Sequence, residues 1–148
     1  FANYPVLNVS RVYHAEVYCS WVGGELPTEK QWEKAARGGL TGKLYPWGDA
    51  SPTCEEGAEN GAYFASCGSK TAIEVGSFSP NGYGLYDMAG NAWEWIANNY
   101  NNSTGEDDRK INLRGGAWNT GENDLRSANR FGYYQSNIFN NLGFRCVR

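Results

Sequence analysis

Few residues in this chain of 148 have side chains suited to nucleophilic or metal chemistry: there are four cysteines and one histidine. Cys19, Cys54, Cys67 and Cys146 can pair as two disulfides in three ways, and their spacing matches neither a zinc knuckle nor a redox Cys-x-x-Cys motif. Two disulfides are the first interpretation, and reduced thiols in the core are the alternative. His14 has no second histidine as a partner, and we interpret it as a solvent-facing or capping residue.

No familiar catalytic arrangement is present. The sequence contains no Gly-x-Ser-x-Gly motif and no glycine loop for phosphate, and a working pair of carboxylates cannot be recognised from spacing alone. We therefore expect no enzyme and assign no catalytic residue. The net charge of -3 and the pI near 5.2 argue against nucleic acid as a partner. Because no apolar run approaches the roughly 20 residues that cross a bilayer, we expect no membrane insertion.

The strongest positive signal is an irregular stretch near the C-terminus in which aromatic rings alternate with small polar residues. Such rings give contact area at low entropy cost, and amides adapt their hydrogen bonds, as in adaptable binding loops. The alternative is that the rings are core residues of short strands. The predicted ligand-binding residues are Asn119, Thr120, Gly121, Asn123, Phe131, Tyr133, Tyr134, Ser136, Asn137, Phe139 and Asn140.

Two helices precede this stretch. Apolar residues at helical spacing predict the first at residues 11–22, with Ser10 as its N-cap. Thr28 and Gln31 have the spacing of a capping box, which predicts a second helix that ends at Gly38.

Beyond residue 40, turn-forming residues recur so often that only short strands are expected. We predict strands at 111–114 and 143–148, a solvated loop at 98–110 and an irregular region between 118 and 142. The length favours one domain over residues 1–148, and helices followed by loop-rich strands favour the α+β class.

Landmarks spread along the whole chain resemble the formylglycine-generating-enzyme (sulfatase-modifying factor) family. They are Leu26-Pro27-Thr28-Glu29, Trp32-Glu33, Ala35-Ala36-Arg37-Gly38-Gly39, Tyr45-Pro46-Trp47-Gly48, Val75-Gly76-Ser77-Phe78, the run from Pro80 to Trp95, Arg114-Gly115-Gly116 and Gly143-Phe144-Arg145-Cys146. The resemblance implies a C-type-lectin-like fold that lacks the family's opening strands. It does not settle function, because enzymes and binding modules share this scaffold.

The resemblance also bears on metals. The family's enzymes bind copper through a cysteine pair shortly after the Arg-Gly-Gly landmark, but residues 117–125 contain no cysteine here. A related branch holds iron with several histidines, and this chain has one. We therefore expect neither copper nor iron. A structural calcium ion is implied at Asp87, Gly90, Ala92 and Glu94, the alternative being a turn in which Glu94 bonds nearby backbone.

Family members join the positions of Cys19 and Cys146 by a disulfide, and Cys54 would then pair with Cys67. The first bond, if formed, is worth about 4 kcal/mol in the chain-entropy model.

The C-terminal third resembles the variable segment of proteins diversified by retroelements, which places the variable region at about 117–141. Arg114-Gly115-Gly116-Ala117-Trp118, Leu125-Arg126-Ser127-Ala128-Asn129-Arg130 and Gly143-Phe144-Arg145 match its frame. Mutating the adenines of an AAC codon gives only codons that end in C. Between the frame motifs, only Glu122 and Gln135 cannot be encoded by a codon of this kind.

We accordingly expect a non-catalytic binding protein whose ligand is a protein surface, with a glycan as the alternative, displayed on a cell surface or virion. The contact residues should form one exposed surface above a buried scaffold of Trp118, Leu125, Ala128, Leu142 and Phe144. The competing hypotheses are a formylglycine-generating-type oxidase or its inactive remnant, and a structural accessory domain.

Overall fold

The computed structural model describes residues 3–68, 70–99 and 110–148, and it has two helices and a four-stranded sheet. The α+β class expected from the sequence is confirmed. The helices are α1 (Glu16–Trp21), which continues a π-helical turn at Arg11–Ala15, and α2 (Glu29–Arg37). The strands are β1 (Trp93–Asn99), β2 (Lys110–Arg114), β3 (Phe131–Tyr134) and β4 (Leu142–Phe144). Short 3-10 turns lie at Ala65–Cys67 and Glu122–Leu125.

The first helix differs from the single α-helix predicted at 11–22. Ser10 does occupy the N-cap position, but its side chain caps no backbone group, because its Oγ lies 2.9 Å from Nδ1 of His14. The Ser10 N–H donates to the same ring nitrogen at 3.1 Å, so His14 caps the start of the helix. Ala15 donates to the carbonyl of Ser10, five residues back, which gives the first turn its π-helical pitch. Among the apolar residues whose spacing predicts this helix, Ala15 and Cys19 are buried.

The second helix begins as predicted. Thr28 Oγ1 accepts from the N–H of Gln31 at 3.3 Å, and Gln31 Oε1 accepts from the N–H of Thr28 at 2.7 Å, which completes the capping box. The helix ends at Gly38, whose φ of 55° is in the left-handed region that glycine adopts without strain. Trp32 and Ala36 are buried in one cluster with Ile96 of β1, so α2 packs on the sheet.

The sheet has the order β3-β2-β1-β4, with β2 antiparallel to β1 and β3, and β4 parallel to β1. In β1 every residue from Trp93 to Ile96 is buried, so both faces of this strand pack against other residues. A strand buried on both faces shows no alternation of polar and apolar residues, so the sequence pattern did not predict β1.

The C-terminal third differs from the prediction in two places. The strand predicted at 143–148 is shorter, because β4 ends at Phe144 and the chain then makes only an isolated bridge between Val147 and Glu25. The stretch predicted as irregular contains β3, which pairs with β2 from Phe131 to Tyr134. Of the loop predicted at 98–110, residues 100–109 lie outside the described residues. Within the part of the chain that the structure describes, no helix is both long and apolar enough to span a membrane.

Two disulfides join the same cysteines that the resemblance implies. Cys19 on α1 bonds Cys146, which follows β4. The two cysteines are 127 positions apart in the sequence. Cys54 bonds Cys67 across a separation of 13 positions. All four cysteines of the chain are therefore engaged in disulfides.

Candidate ligand-binding surface

Three rings of the predicted surface lie against one another at the edge strand β3. The Tyr133 ring centroid is 5.2 Å from that of Phe131 and 4.8 Å from that of Phe139, and we call these three residues the aromatic row. Phe131 and Phe139 are 46% and 37% exposed, whereas Tyr133 is half-buried and packs against the core. Phe131 also lies 6.0 Å from the buried ring of Trp93. The row is thus open to solvent on one side and supported by the core on the other. Of its three rings, only Tyr133 fits the alternative interpretation as a core residue, and it does so only in part, since its side chain is half-buried.

The predicted polar positions lie in two neighbouring turns. Asn141 Nδ2 donates to Asn119 Oδ1 at 2.9 Å, and Trp118 Nε1 donates to the carbonyl of Asn140 at 3.4 Å, so the turn at 119–123 adjoins the loop at 134–141. The hydroxyl of Thr120 points inward, because it accepts from the N–H of Ala117 at 2.9 Å. The exposed polar positions are Asn119, Gly121, Asn123, Ser136 and Asn140, with Tyr134 beside them, while Thr120 and Asn137 are half-buried.

The loop that follows β3 is held by its main chain. Its carbonyl oxygens accept hydrogen bonds from backbone N–H groups elsewhere in the fold: Gln135 from Arg11 at 3.1 Å, Phe139 from Asn8 at 3.1 Å and Asn141 from Trp93 at 2.8 Å. Every amino acid carries this carbonyl, so these bonds do not depend on which side chains the loop presents.

A buried arginine holds the chain just before β3. Arg114 is fully buried, and its Nη2 donates to Glu33 at 2.7 Å and to the carbonyl of Ser127 at 2.8 Å. Its Nη1 donates to the carbonyl of Ala128 at 3.3 Å, and its guanidinium lies 5.1 Å from the centre of the Trp32 ring. These contacts join α2, β2 and the segment that leads into the aromatic row.

The charged groups around Arg114 shift one another's pKa values. Burial lowers the pKa of Arg114, and the hydrogen bond and charge of Glu33 act against that shift. Burial alone raises the pKa of Glu33, but hydrogen bonds from Arg37 and Arg114 outweigh it, so its net pKa lies below the ordinary value. Glu33 therefore stays ionised to more acidic pH than an ordinary glutamate.

The predicted scaffold residues divide into three groups. Leu125 and Leu142 are fully buried as expected, while Trp118 and Phe144 are half-buried. Ala128 is exposed, which contradicts the prediction. Because Arg114 binds the carbonyls of residues 127 and 128, the main chain faces inward there, and the methyl group of Ala128 points outward.

Two exposed residues beside the surface were missed. Ile138 is 49% exposed between the predicted residues Asn137 and Phe139. The side chain of Arg130 is 50% exposed and pairs with Glu29 at 2.8 Å. Isoleucine satisfies the same codon rule as its neighbours, so that signal was available for Ile138.

The four residues of the implied calcium site line one cavity of about 370 Å³. However, both Glu94 oxygens already accept N–H groups: Oε1 from Arg145 at 2.6 Å, and Oε2 from Arg145 at 2.7 Å and from Trp32 at 2.6 Å. Asp87 accepts from the N–H of Gly76 at 2.8 Å, and burial raises the pKa of Asp87. With a guanidinium on the carboxylate, this donor set does not fit a divalent cation. The described residues contain no group of three or more His, Cys, Asp or Glu side chains placed to hold a metal ion.

Comparisons with known proteins extend over the whole chain. Residues 1–148 match the family model of the sulfatase-modifying factor enzyme 1-like domain. The chain is 39% identical over 154 residues to the inactive C-alpha-formylglycine-generating enzyme 2 of Bos taurus, covering 97% of this chain and 50% of that protein. It is 34% identical over 166 residues to the formylglycine-generating enzyme of Streptomyces coelicolor, covering 98% and 52%. The chain thus spans about half the length of these relatives.

Solved structures give the same fold. PvdO from Pseudomonas aeruginosa superimposes with a TM-score of 0.74 and 27% identity over 96% of this chain and 60% of that one. Treponema denticola variable protein 1 superimposes with a TM-score of 0.65 and 34% identity, over 81% of this chain and 45% of that one. The chain is thus similar in sequence to an enzyme and to an inactive relative and similar in fold to a variable protein, so function has to be argued from the site.

Proposed function

This chain belongs to the sulfatase-modifying factor enzyme 1-like family, and from that premise we propose that it is a non-catalytic member that binds a protein ligand. The contact surface is the aromatic row together with Tyr134, Ile138 and the polar positions around them. The observation that carries the proposal is the combination of exposed rings and a loop whose path is fixed by backbone carbonyls.

That combination suits a surface whose side chains differ between versions of one protein. A residue that also carries the core tolerates few substitutions, since a misfit there costs about 1 to 5 kcal/mol. Here the loop conformation is supported by groups that every residue has. Diversification by a retroelement is the finer part of this proposal. It predicts that gene copies from related genomes differ mainly at adenine positions of these codons, and uniform variation along the gene would contradict it.

The non-catalytic part rests on the cysteines. Copper(I) sites need soft thiolate ligands, and in this chain the segment at 117–125 has no cysteine while all four cysteines are in disulfides. The relatives alone do not decide whether this chain is catalytic, since one relative is named inactive and another is named an enzyme.

The proposed partner is a protein because of the composition of the surface. None of the proposed contact positions is charged, and four have large aromatic rings. Depletion of charged residues and enrichment of aromatic ones characterise the centre of protein interfaces. Clustered exposed rings on a soluble protein also indicate an interaction site.

The experiment is to probe the purified protein on an array of extracellular proteins and on a glycan array. Tyr134→Ser with Phe139→Ser should reduce binding to the captured protein by about tenfold or more. The matched control is Tyr83→Ser with Tyr86→Ser, which removes two rings that are also about half exposed, 53% and 47%, but lie elsewhere. An equal loss in the control, or binding to glycans alone, would overturn the proposal.

The family's enzymes support a second candidate, an oxidase of the formylglycine-generating type. It predicts copper-dependent oxygen consumption with a cysteine-containing peptide, which the non-catalytic proposal does not. A third candidate, a structural accessory domain, predicts no binding on either array.

A further inference from the structure

The guanidinium of Arg145 lies inside a cage of oxygen atoms. Besides the two Glu94 oxygens at 2.6 and 2.7 Å, its Nη2 donates to the carbonyls of Tyr86 at 3.2 Å and Asp87 at 3.4 Å. Two carboxylate and two carbonyl oxygens therefore already surround one positive charge.

This cage joins parts of the fold that are distant in sequence. Arg145 follows β4, Glu94 lies in β1, and the carbonyls belong to the turn before β1. Trp32 of α2 donates to Glu94 at 2.6 Å from the other side. A cation at this point neutralises a carboxylate that is 7% exposed, which is otherwise costly to bury.

We propose that Arg145 is the resident cation of this site, that its charge closes the site to divalent cations, and that removing its side chain opens a calcium site. The four oxygens bound to Arg145 are hard donors of the kind calcium prefers, and the Asp87 carboxylate lines the same cavity of about 370 Å³. Water in the cavity would supply the remaining ligands. While the guanidinium is present, a divalent cation near Glu94 would lie within a few ångströms of a positive charge and would be repelled.

The test compares the wild-type protein with Arg145→Ala and with the double variant Arg145→Ala, Glu94→Gln. The melting temperature of the wild type should change by less than about 1 °C between EDTA and millimolar calcium. In EDTA, Arg145→Ala should melt at a lower temperature, because Glu94 loses its counter-ion and keeps only the N–H of Trp32. Calcium at about 100 times its Kd should raise the melting temperature of Arg145→Ala by about 5 °C or more. The double variant should show no calcium effect.

Terbium luminescence gives a direct readout of the same site. Trp32 contacts Glu94, so terbium bound there should be sensitised by tryptophan excitation in Arg145→Ala and neither in the wild type nor in the double variant. Arg145→Gln, which keeps more of the side-chain volume, serves if the alanine variant does not fold.

The proposal is overturned if calcium stabilises the wild type with Arg145 in place, or if the folded Arg145 variants bind no terbium. A variant that folds only when calcium is present supports it. Calcium stabilisation of the wild type overturns the proposal even if neither variant can be purified.

Discussion

Replacing Arg114 by methionine is expected to destabilise the fold strongly. The change removes a fully buried charge that donates to Glu33 at 2.7 Å and to the carbonyls of Ser127 and Ala128. Methionine has a similar length but no donors, so the two carbonyls lose their donor, and Glu33 keeps only its pair with Arg37. A hydrogen bond to a charged group contributes about 1.5–3 kcal/mol, so the loss of the two bonds to carbonyls is expected to cost about 3–5 kcal/mol, roughly 10 °C in melting temperature for a chain of this size.

The assay is urea denaturation followed by tryptophan fluorescence. The matched control is Arg130→Met, because Arg130 pairs with Glu29 at 2.8 Å but its side chain is 50% exposed. Exposed ion pairs contribute about 0–1 kcal/mol, so the control should change the free energy of unfolding little. Hydrogen exchange should also accelerate at the amides of β3 in Arg114→Met, since the segment before that strand is released.

Equal losses of unfolding free energy in Arg114→Met and Arg130→Met would refute this reasoning. The burial of an arginine would then not determine how much its ion pair stabilises the fold. A loss below about 1 kcal/mol for Arg114→Met would likewise show that the carbonyls find other donors.

Three further predictions concern stability. Since the folded pKa of Glu33 is lowered, its ion pairs stabilise the fold above about pH 4.5 and are lost as the pH falls through that lowered pKa; Glu33→Gln should flatten the acid limb of the stability curve, and an unchanged limb would contradict this. Replacing Cys19 and Cys146 by serine should cost about 4 kcal/mol in urea denaturation, and a reductant that leaves the wild-type midpoint unchanged would argue against it. Tyr133→Ser should cost about 1–2 kcal/mol and Tyr134→Ser less than about 1, and the reverse order of melting temperatures would exclude the division between supported and exposed rings.

Local chemistry made part of the fold predictable. The capping box of Thr28 and Gln31 spans only four residues, and Gly38 directly follows the last residue of α2. Both ends of this helix could therefore be predicted from the sequence. The strand at 111–114 was found because it is short, apolar and followed by glycines. The central strand was not found, since burial of both its faces removes the alternating pattern.

The sequence indicated which residues could form the contact surface but not which contacts support them. Exposed rings and amides could be selected from composition and codon pattern, which are properties of single positions. The contact of Arg114 with Glu33 joins residues 81 positions apart, and that of Arg145 with Glu94 joins residues 51 apart. Charge pairs at such separations leave no local pattern, so neither the outward turn of Ala128 nor the guanidinium in the implied calcium site could be expected.

If the surface is diversified as proposed, these contacts let it vary while the fold stays constant. The side chains whose identity matters for structure are placed beneath the surface, where Arg114 fixes the chain before β3. The loop after β3 is held to the rest of the fold by the carbonyl oxygens of Gln135, Phe139 and Asn141. A substitution at an exposed position therefore leaves these backbone bonds in place. Thr120 and Tyr133 are exceptions within the predicted surface. The Thr120 hydroxyl accepts from the N–H of Ala117, and the Tyr133 ring contacts both other rings of the aromatic row, so variation at Tyr133 should be limited to side chains that can fill the same space.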